Sequence, residues 1–253
     1  MLAPGVFCFV WLCVVLCGFG HGKTTKRVQT RAMSARSLQL TPDLLLRAYR
    51  LGMFPMAETH DSPTLHWLDP DERGILPLDQ FHIPRSLMKT LRGGRYRVTA
   101  DADFKATIQA CAAERPSRPE TWINGEIEHQ FTELHRMGFA HSVETWAGDE
   151  LVGGLYGVSL GGAFFGESMF STATDASKVA LVHLVARLRL GGYVLLDTQF
   201  ITTHLSQFGA VEIPRRLYHA WLAEAVEVDA RFPASPDAAL LLCEIALMRK
   251  EAR

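Results

Sequence analysis

Residues 150–171 constrain the fold of this chain most. Glu150-Leu-Val-Gly-Gly-Leu-Tyr-Gly-Val-Ser-Leu160 reads as a glycine-rich strand, Gly161-Gly162 as a two-residue turn, and Ala163 to Ser168 as the returning strand of a hairpin. Glycines inside a strand weaken it and mark close approach of a ligand or of another backbone. Thr174 or Asp175 then offers an N-cap for a helix through Leu190, with Val179, Val182, Leu184 and Val185 on its apolar side and Gly191-Gly192 as its stop. Tyr193-Val-Leu-Leu196 reads as a buried strand ending in Asp197, and a last short helix near Thr203 to Phe208 ends at Gly209. The order hairpin, helix, strand, helix predicts an α/β (α+β) layer with polar groups where its strands end.

Those polar groups are the chemical signal. Glu167 stands among Phe164, Phe165, Met169 and Phe170, where a purely structural sequence places another apolar residue. Asp197 and Gln199 are two residues apart, so in an extended chain both side chains point to one face. Buried polar groups cost free energy unless paired, so three of them at strand ends mark either a site or a set of caps and buried hydrogen bonds.

Composition fits a chain with a real core: 253 residues, 48% of them hydrophobic, enough for one or two ordinary domains. Formal net charge is −1, so no global basic field attracts nucleic acid. The best local basic cluster is Arg85, Lys89, Arg92, Arg95 and Arg97 around Gly93-Gly94, with Arg215 and Arg216 as a second. A charge run of this kind is more often a solvated face than a phosphate site. Cys111 and Cys243 are isolated, no CxxC pair or zinc-spaced cluster is present, and no Gly-x-Ser-x-Gly elbow occurs. Neither a metal nor a redox role is expected. Val6 to Gly20 is almost wholly apolar and is followed by Lys23, Lys26, Arg27 and Arg31, yet Met1 to Pro4 carries no basic side chain. At roughly 15 residues it is short for a bilayer span, which needs about 20. Residues 1–32 read as a misassigned extension, with translation expected to begin at Met33. A membrane anchor is the rival reading. Beyond residue 225 the chain reads as a linker with Pro233 and Pro236, then a short packing helix over the apolar run Ala238 to Met248.

The motifs, taken in order, resemble one family. Gly52-Met-Phe-Pro55, Trp67-Leu-Asp-Pro-Asp-Glu-Arg73, His82-Ile-Pro-Arg-Ser86, Tyr96-Arg-Val-Thr99, Thr121-Trp-Ile123, His141-Ser-Val-Glu144, Leu151-Val-Gly-Gly154, Gly166-Glu-Ser-Met-Phe-Ser171, Leu196-Asp-Thr-Gln199, Phe208-Gly-Ala210 and Glu212-Ile-Pro-Arg-Arg216 are similar to the leucyl/phenylalanyl-tRNA–protein transferases. The match runs from about Leu40 to Arg216. Two positions depart from many relatives: His66 stands where a second Trp is expected, and Phe131 where some have Tyr.

The resemblance implies a small N-terminal α/β domain (33–80) packed on an acetyltransferase-like domain (81–225) of mixed sheet and helices, with a tail (226–253). It implies a cytoplasmic, monomeric aminoacyltransferase that needs no cofactor. Such an enzyme moves Leu or Phe (or Met) from aminoacyl-tRNA to the α-amine of proteins beginning with Arg or Lys and so creates a degradation signal. Neither DNA nor a membrane is an expected partner. Asp197 and Gln199 match the catalytic pair. An amide is a very poor base, so the expected role of Gln199 is to accept a hydrogen bond from the attacking amine. Asp197 either orients and polarises Gln199 or holds the acceptor's cationic end, and the sequence leaves both open. By the same resemblance Trp67 and Trp122 stack the terminal adenosine, and Glu167 hydrogen-bonds near it. Leu155, Phe164, Met169, Leu181, Leu184 and Leu196 line the chamber for the donor side chain. The basic cluster at residues 85–97 is the candidate for tRNA phosphates. The rival readings are an acetyl-CoA-dependent N-acetyltransferase and a non-catalytic RNA- or peptide-binding module. Against the first, Ser171-Thr-Ala-Thr-Asp-Ala-Ser177 lacks glycine and carries an acid where a pyrophosphate would sit.

Overall fold

A computed structural model describes residues 33–34, 40–114 and 120–251, so the apolar and basic stretch of residues 1–32 lies outside the described residues. The first elements are β1 (Met33–Ser34), α1 (Pro42–Arg50), β2 (Phe54–Ala57), β3 (Leu65–Leu68) and β4 (Glu72–Ile75). Next come α2 (Arg85–Arg92), β5 (Arg97–Ala100), α3 (Phe104–Ala112), α4 (Gly125–Arg136) and β6 (Ala140–Ala147). The hairpin follows as β7 (Glu150–Leu160) and β8 (Ala163–Ser171), then α5 (Ala176–Leu190) and β9 (Leu195–Gln199). The chain closes with α6 (Thr203–Ser206), β10 (Val211–Pro214), α7 (Arg215–Ala225) and α8 (Ala238–Glu251). Among the described residues no helix is long and apolar enough to cross a membrane.

The mixed α/β class expected from the sequence is what forms. One sheet has the order β1-β3-β2, the other β10-β4-β9-β8-β7-β6-β5. Every neighbouring pair in the larger sheet is antiparallel except β8 and β9. β4 pairs with both β10 and β9, so the chain before residue 80 supplies strands to both sheets.

Local chemistry explains the element ends. The Thr41 hydroxyl accepts the Leu44 N–H and Pro42 opens α1, whose Leu45, Ala48 and Tyr49 are buried. Asn124 caps α4 in the same way, through the Ile127 N–H. The expected cap of α5 is different. Asp175 occupies the N-cap position but has φ +64° and makes no capping bond; its oxygens accept from Lys178 Nζ at 2.9 Å and Thr90 Oγ1 at 3.2 Å. A side chain already held by two other donors is not available to the helix N–H groups.

The strand glycines answer to the chain itself. A Cβ on Gly157 would lie 2.3 Å from the Phe165 carbonyl oxygen and 2.4 Å from the Phe164 ring. One on Gly153 would lie 2.5 Å from Cβ of Ala176, where α5 begins. Helix α5 is thereby pressed onto the hairpin. Its other side is covered by α8, whose buried Leu241, Ile245 and Met248 join the same apolar cluster as Val182, Val185 and Leu188. The C-terminal packing helix read from the apolar run is therefore present, and it extends to Glu251.

The returning strand runs three residues past the expected Ser168, and β9 runs through Gln199. The two pair only from Ala163↔Leu195 to Phe165↔Asp197. Beyond that point β8 continues beside β7 alone, and the sheet opens into a cleft.

Candidate functional site

A cavity of about 700 Å³ fills this opening. One wall is the free half of β8 with the segment leading into α5, and another is β9 with the α6 segment. The chamber residues Leu155, Met169, Leu181, Leu184 and Leu196 all line it, giving an apolar interior. Phe164 does not; its ring is fully buried in the neighbouring cluster, edge-on to Tyr193 at 6.3 Å. Trp122, buried, faces the cavity, whereas Trp67 is not part of the wall. Register explains that difference. On β3 Trp67 pairs with Pro55, while Met56 pairs with His66, so Met56 and Trp67 project to opposite faces. Met56 takes the place in the wall.

Glu167 lines the cavity half-buried, with Oε1 accepting from Tyr49 Oη at 2.8 Å. Burial is the largest influence on it and raises its pKa; the Tyr49 hydrogen bond and Arg73 oppose that, Asp197 adds to it, and the carboxyl is pushed up from 4.5 to about 8. The native state therefore binds a proton that the unfolded chain has released between about pH 4.5 and 8, so this group's contribution to stability falls as pH rises through that window. Thermal unfolding from pH 5 to 9 should show Glu167→Gln gaining on the parent protein as pH rises. A difference that is flat with pH would mean that the carboxyl is not perturbed.

Asp197 and Gln199 do not share a face as an extended chain requires. Gln199 has φ +57°, and the Phe200 N–H closes a three-residue turn on the Thr198 carbonyl at 2.6 Å. Such a turn is rare and strained for a residue with a side chain. It puts Gln199 in the cavity wall and leaves Asp197 fully buried beneath. There, Asp197 Oδ1 accepts from Arg73 Nε at 3.0 Å and from the Gln199 N–H at 2.8 Å. Its Oδ2 accepts from an Arg73 terminal nitrogen at 2.6 Å and from Tyr218 Oη at 2.7 Å. Both oxygens are thus occupied inside the protein, which leaves no room for an acceptor's cationic end. Burial disfavours the Arg73 charge, but Asp197 outweighs it and the guanidinium is held more firmly protonated than usual; burial pushes the Tyr218 hydroxyl well up.

Arg73, Tyr49 and Tyr218 received no role from sequence. A cation immediately before the apolar run Gly74-Ile-Leu76 was the available signal, since a buried arginine must find a carboxylate. Three further polar atoms in the wall, Thr198 Oγ1, Gln199 Nε2 and His204 Nε2, are buried without a hydrogen-bond partner. Burial, aided by Lys178, lowers the pKa of His204 to about 4, so its ring is neutral at physiological pH. Orphaned polar atoms are rare in a finished core and collect at functional sites.

Arg85, Lys89, Arg92, Arg95 and Arg97 are all exposed, along α2, the turn after it and the first residue of β5. Two hydrogen bonds join this surface to the cavity rim: Thr90 Oγ1 to Asp175, and Tyr96 Oη to the Thr174 carbonyl at 2.7 Å. Arg215 is instead committed to Asp69 and Asp71. Among the described residues no group of acids, histidines or cysteines is placed to hold a metal ion.

An apolar chamber with an aromatic wall, an amide and a carboxyl stands where the mixed sheet of this α/β fold opens. The chain belongs to the leucyl/phenylalanyl-tRNA protein transferase family: the family's N-terminal domain model matches residues 39–71 and its main model residues 75–223. Relatives named leucyl/phenylalanyl-tRNA–protein transferase include that of Rhodospirillum rubrum, 60% identical over 77% of this chain and 92% of its own. That of Maricaulis maris is 61% identical over 76% and 89%, and that of Paramagnetospirillum magneticum 57% over 83% and 99%. A solved structure of L-PGS from Bacillus licheniformis covers 79% of this chain and 67% of its own at 13% identity, with a TM-score of 0.37.

Proposed function

We propose that this aminoacyltransferase moves Leu or Phe from aminoacyl-tRNA to the N-terminal α-amine of proteins beginning with Arg or Lys, in the cytoplasm, so marking them for degradation. The apolar chamber ending at Gln199 is the observation that carries the reading. The donor is an activated ester, so the site must align an amine with a carbonyl and accommodate the charge that develops. The acceptor amine, whose reference pKa is about 7.7 to 8.0, attacks as its neutral form. Its nitrogen bonds to the ester carbon, the bond to the ribose oxygen breaks, and that oxygen leaves with the proton that the amine gives up.

Gln199 offers its amide oxygen to the amine N–H and so fixes the angle of attack. The Leu or Phe side chain fills the space between Leu155, Leu181, Leu184 and Leu196, where Met169 adds compliance. The terminal adenosine stacks on Trp122 beside Met56, a contact worth about 1–3 kcal/mol. Glu167 hydrogen-bonds nearby.

The exposed cations of α2, joined to the rim through Thr90 and Tyr96, take the phosphates behind the terminal nucleotide. Neutralising Arg92 and Arg95 together should weaken tRNA use and lower the slope of log affinity against log salt by about 1.4–1.8, at roughly 0.7–0.9 per phosphate contact. An unchanged slope would place the tRNA elsewhere.

A further inference from the structure

Asp197 is enclosed by a clamp whose largest member lies 124 residues away in sequence. Arg73 is fully buried on β4 and bridges both oxygens of Asp197 at 3.0 and 2.6 Å. Its remaining terminal nitrogen donates to the Gly52 carbonyl at 2.8 Å, and its guanidinium lies between the rings of Phe54 at 4.7 Å and Tyr218 at 4.3 Å. Tyr218 Oη completes the grip on Oδ2. Each of the three guanidinium nitrogens donates a hydrogen bond. A planar fork matched to a carboxylate fixes both distance and rotation, which a point charge cannot do.

That rigidity has one consequence at the cavity. Oδ1 of Asp197 accepts the Gln199 N–H and is the hydrogen-bond partner that this strained backbone position retains. The strand that carries Arg73 also meets the turn directly, because β4 pairs Gly74 with Gln199, and a Cβ on Gly74 would lie 2.7 Å from the Phe200 carbonyl carbon. Arg73 therefore holds the turn through Asp197, and Gly74 holds it through the backbone.

We propose that Arg73 is a positioning residue for transfer: through Asp197 it holds Gln199 in its left-handed turn, so that the amide faces the acceptor amine. This rests on the reading of Gln199 given above. Neither Arg73 nor Asp197 lines the cavity, so substrate affinity is not their business, whereas the angle of the amide is. Misplacing a group by about 1 Å costs on the order of a hundredfold in rate.

The test uses single-turnover transfer of labelled Phe from Phe-tRNA to a peptide beginning with Arg, with KM and maximal rate measured separately. Arg73→Lys, which keeps the charge and loses the fork, should lower the maximal rate about a hundredfold with KM for both substrates unchanged within about twofold. Tyr218→Phe, which keeps the ring over the guanidinium and loses only the hydroxyl, should lower it less and in the same parameter. Arg73→Lys combined with Gln199→Ala should be no slower than Gln199→Ala alone, because one residue acts through the other. Full activity in both Arg73→Lys and Tyr218→Phe, a rise confined to KM, or additive losses in the double variant would overturn the proposal. Undiminished transfer by Gln199→Ala would instead overturn the reading on which it rests. Should Arg73→Lys fail to fold, Tyr218→Phe alone and combined with Gln199→Ala makes the same comparison.

Discussion

Gln199→Ala should slow transfer about 10²–10³-fold without unfolding the protein. The side chain lies in the cavity wall with Nε2 buried and unpartnered, so its removal deletes no internal hydrogen bond of the side chain. The left-handed φ of +57° is as available to Ala as to Gln, and the Gln199 N–H to Asp197 survives the change. What disappears is the group that, in the proposed mechanism, meets the amine in the transition state. The loss should therefore fall on the maximal rate and leave KM for Phe-tRNA nearly as before. A variant with normal rate and raised KM would mean that Gln199 binds substrate without helping it react.

Asp197→Ala has the larger effect on stability. The carboxylate and its arginine are both completely enclosed, at 0% side-chain exposure. Removing one partner leaves the guanidinium buried and uncompensated, a loss of about 3–5 kcal/mol. It also strands the Tyr218 hydroxyl and the Gln199 N–H, whose acceptors are Asp197 oxygens. For a domain of this size that corresponds to a fall in Tm of roughly 2–4 °C per kcal/mol. Calorimetry should show a drop of several degrees at least. A Tm within one or two degrees of the parent would mean that water or another group neutralises Arg73 in the variant. Because the change destabilises the protein and alters the cavity wall at once, Asp197→Ala is a poor probe of chemistry, and Gln199→Ala the better one.

The outline of the core was legible because its signals are local. Glycine spacing in residues 150–162 specified the hairpin, and the apolar positions with Gly191-Gly192 specified α5 and its end. The chamber leucines were reached through the family resemblance rather than from local pattern, since Leu155, Leu181, Leu184 and Leu196 read otherwise as ordinary core; all four line the cavity. What escaped depends on contacts between distant segments. Asp175 looked like a cap until Thr90 and Lys178 engaged its oxygens. Trp67 looked like a stacking platform until pairing with Pro55 set which face of β3 it occupies. Phe164 looked like chamber lining, and the splitting of β8 from β9 after Phe165 leaves it in the core. The geometry of Gln199 escaped for a subtler reason: alternation along a strand holds only while the backbone stays extended, and here it ends in a turn at Gln199 itself. Tyr49 and Arg73 reach the site from the first third of the chain, and no spacing rule links them to Glu167 and Asp197.

Transfer of labelled Phe from Phe-tRNA to two peptides, one beginning with Arg and one with Ala, is the most direct measurement of the central claim. The account predicts label on the α-amine of the Arg peptide alone, dependent on Gln199 and unaffected by acetyl-CoA. No label from the folded protein, equal label on both peptides, or full transfer by Gln199→Ala would contradict it.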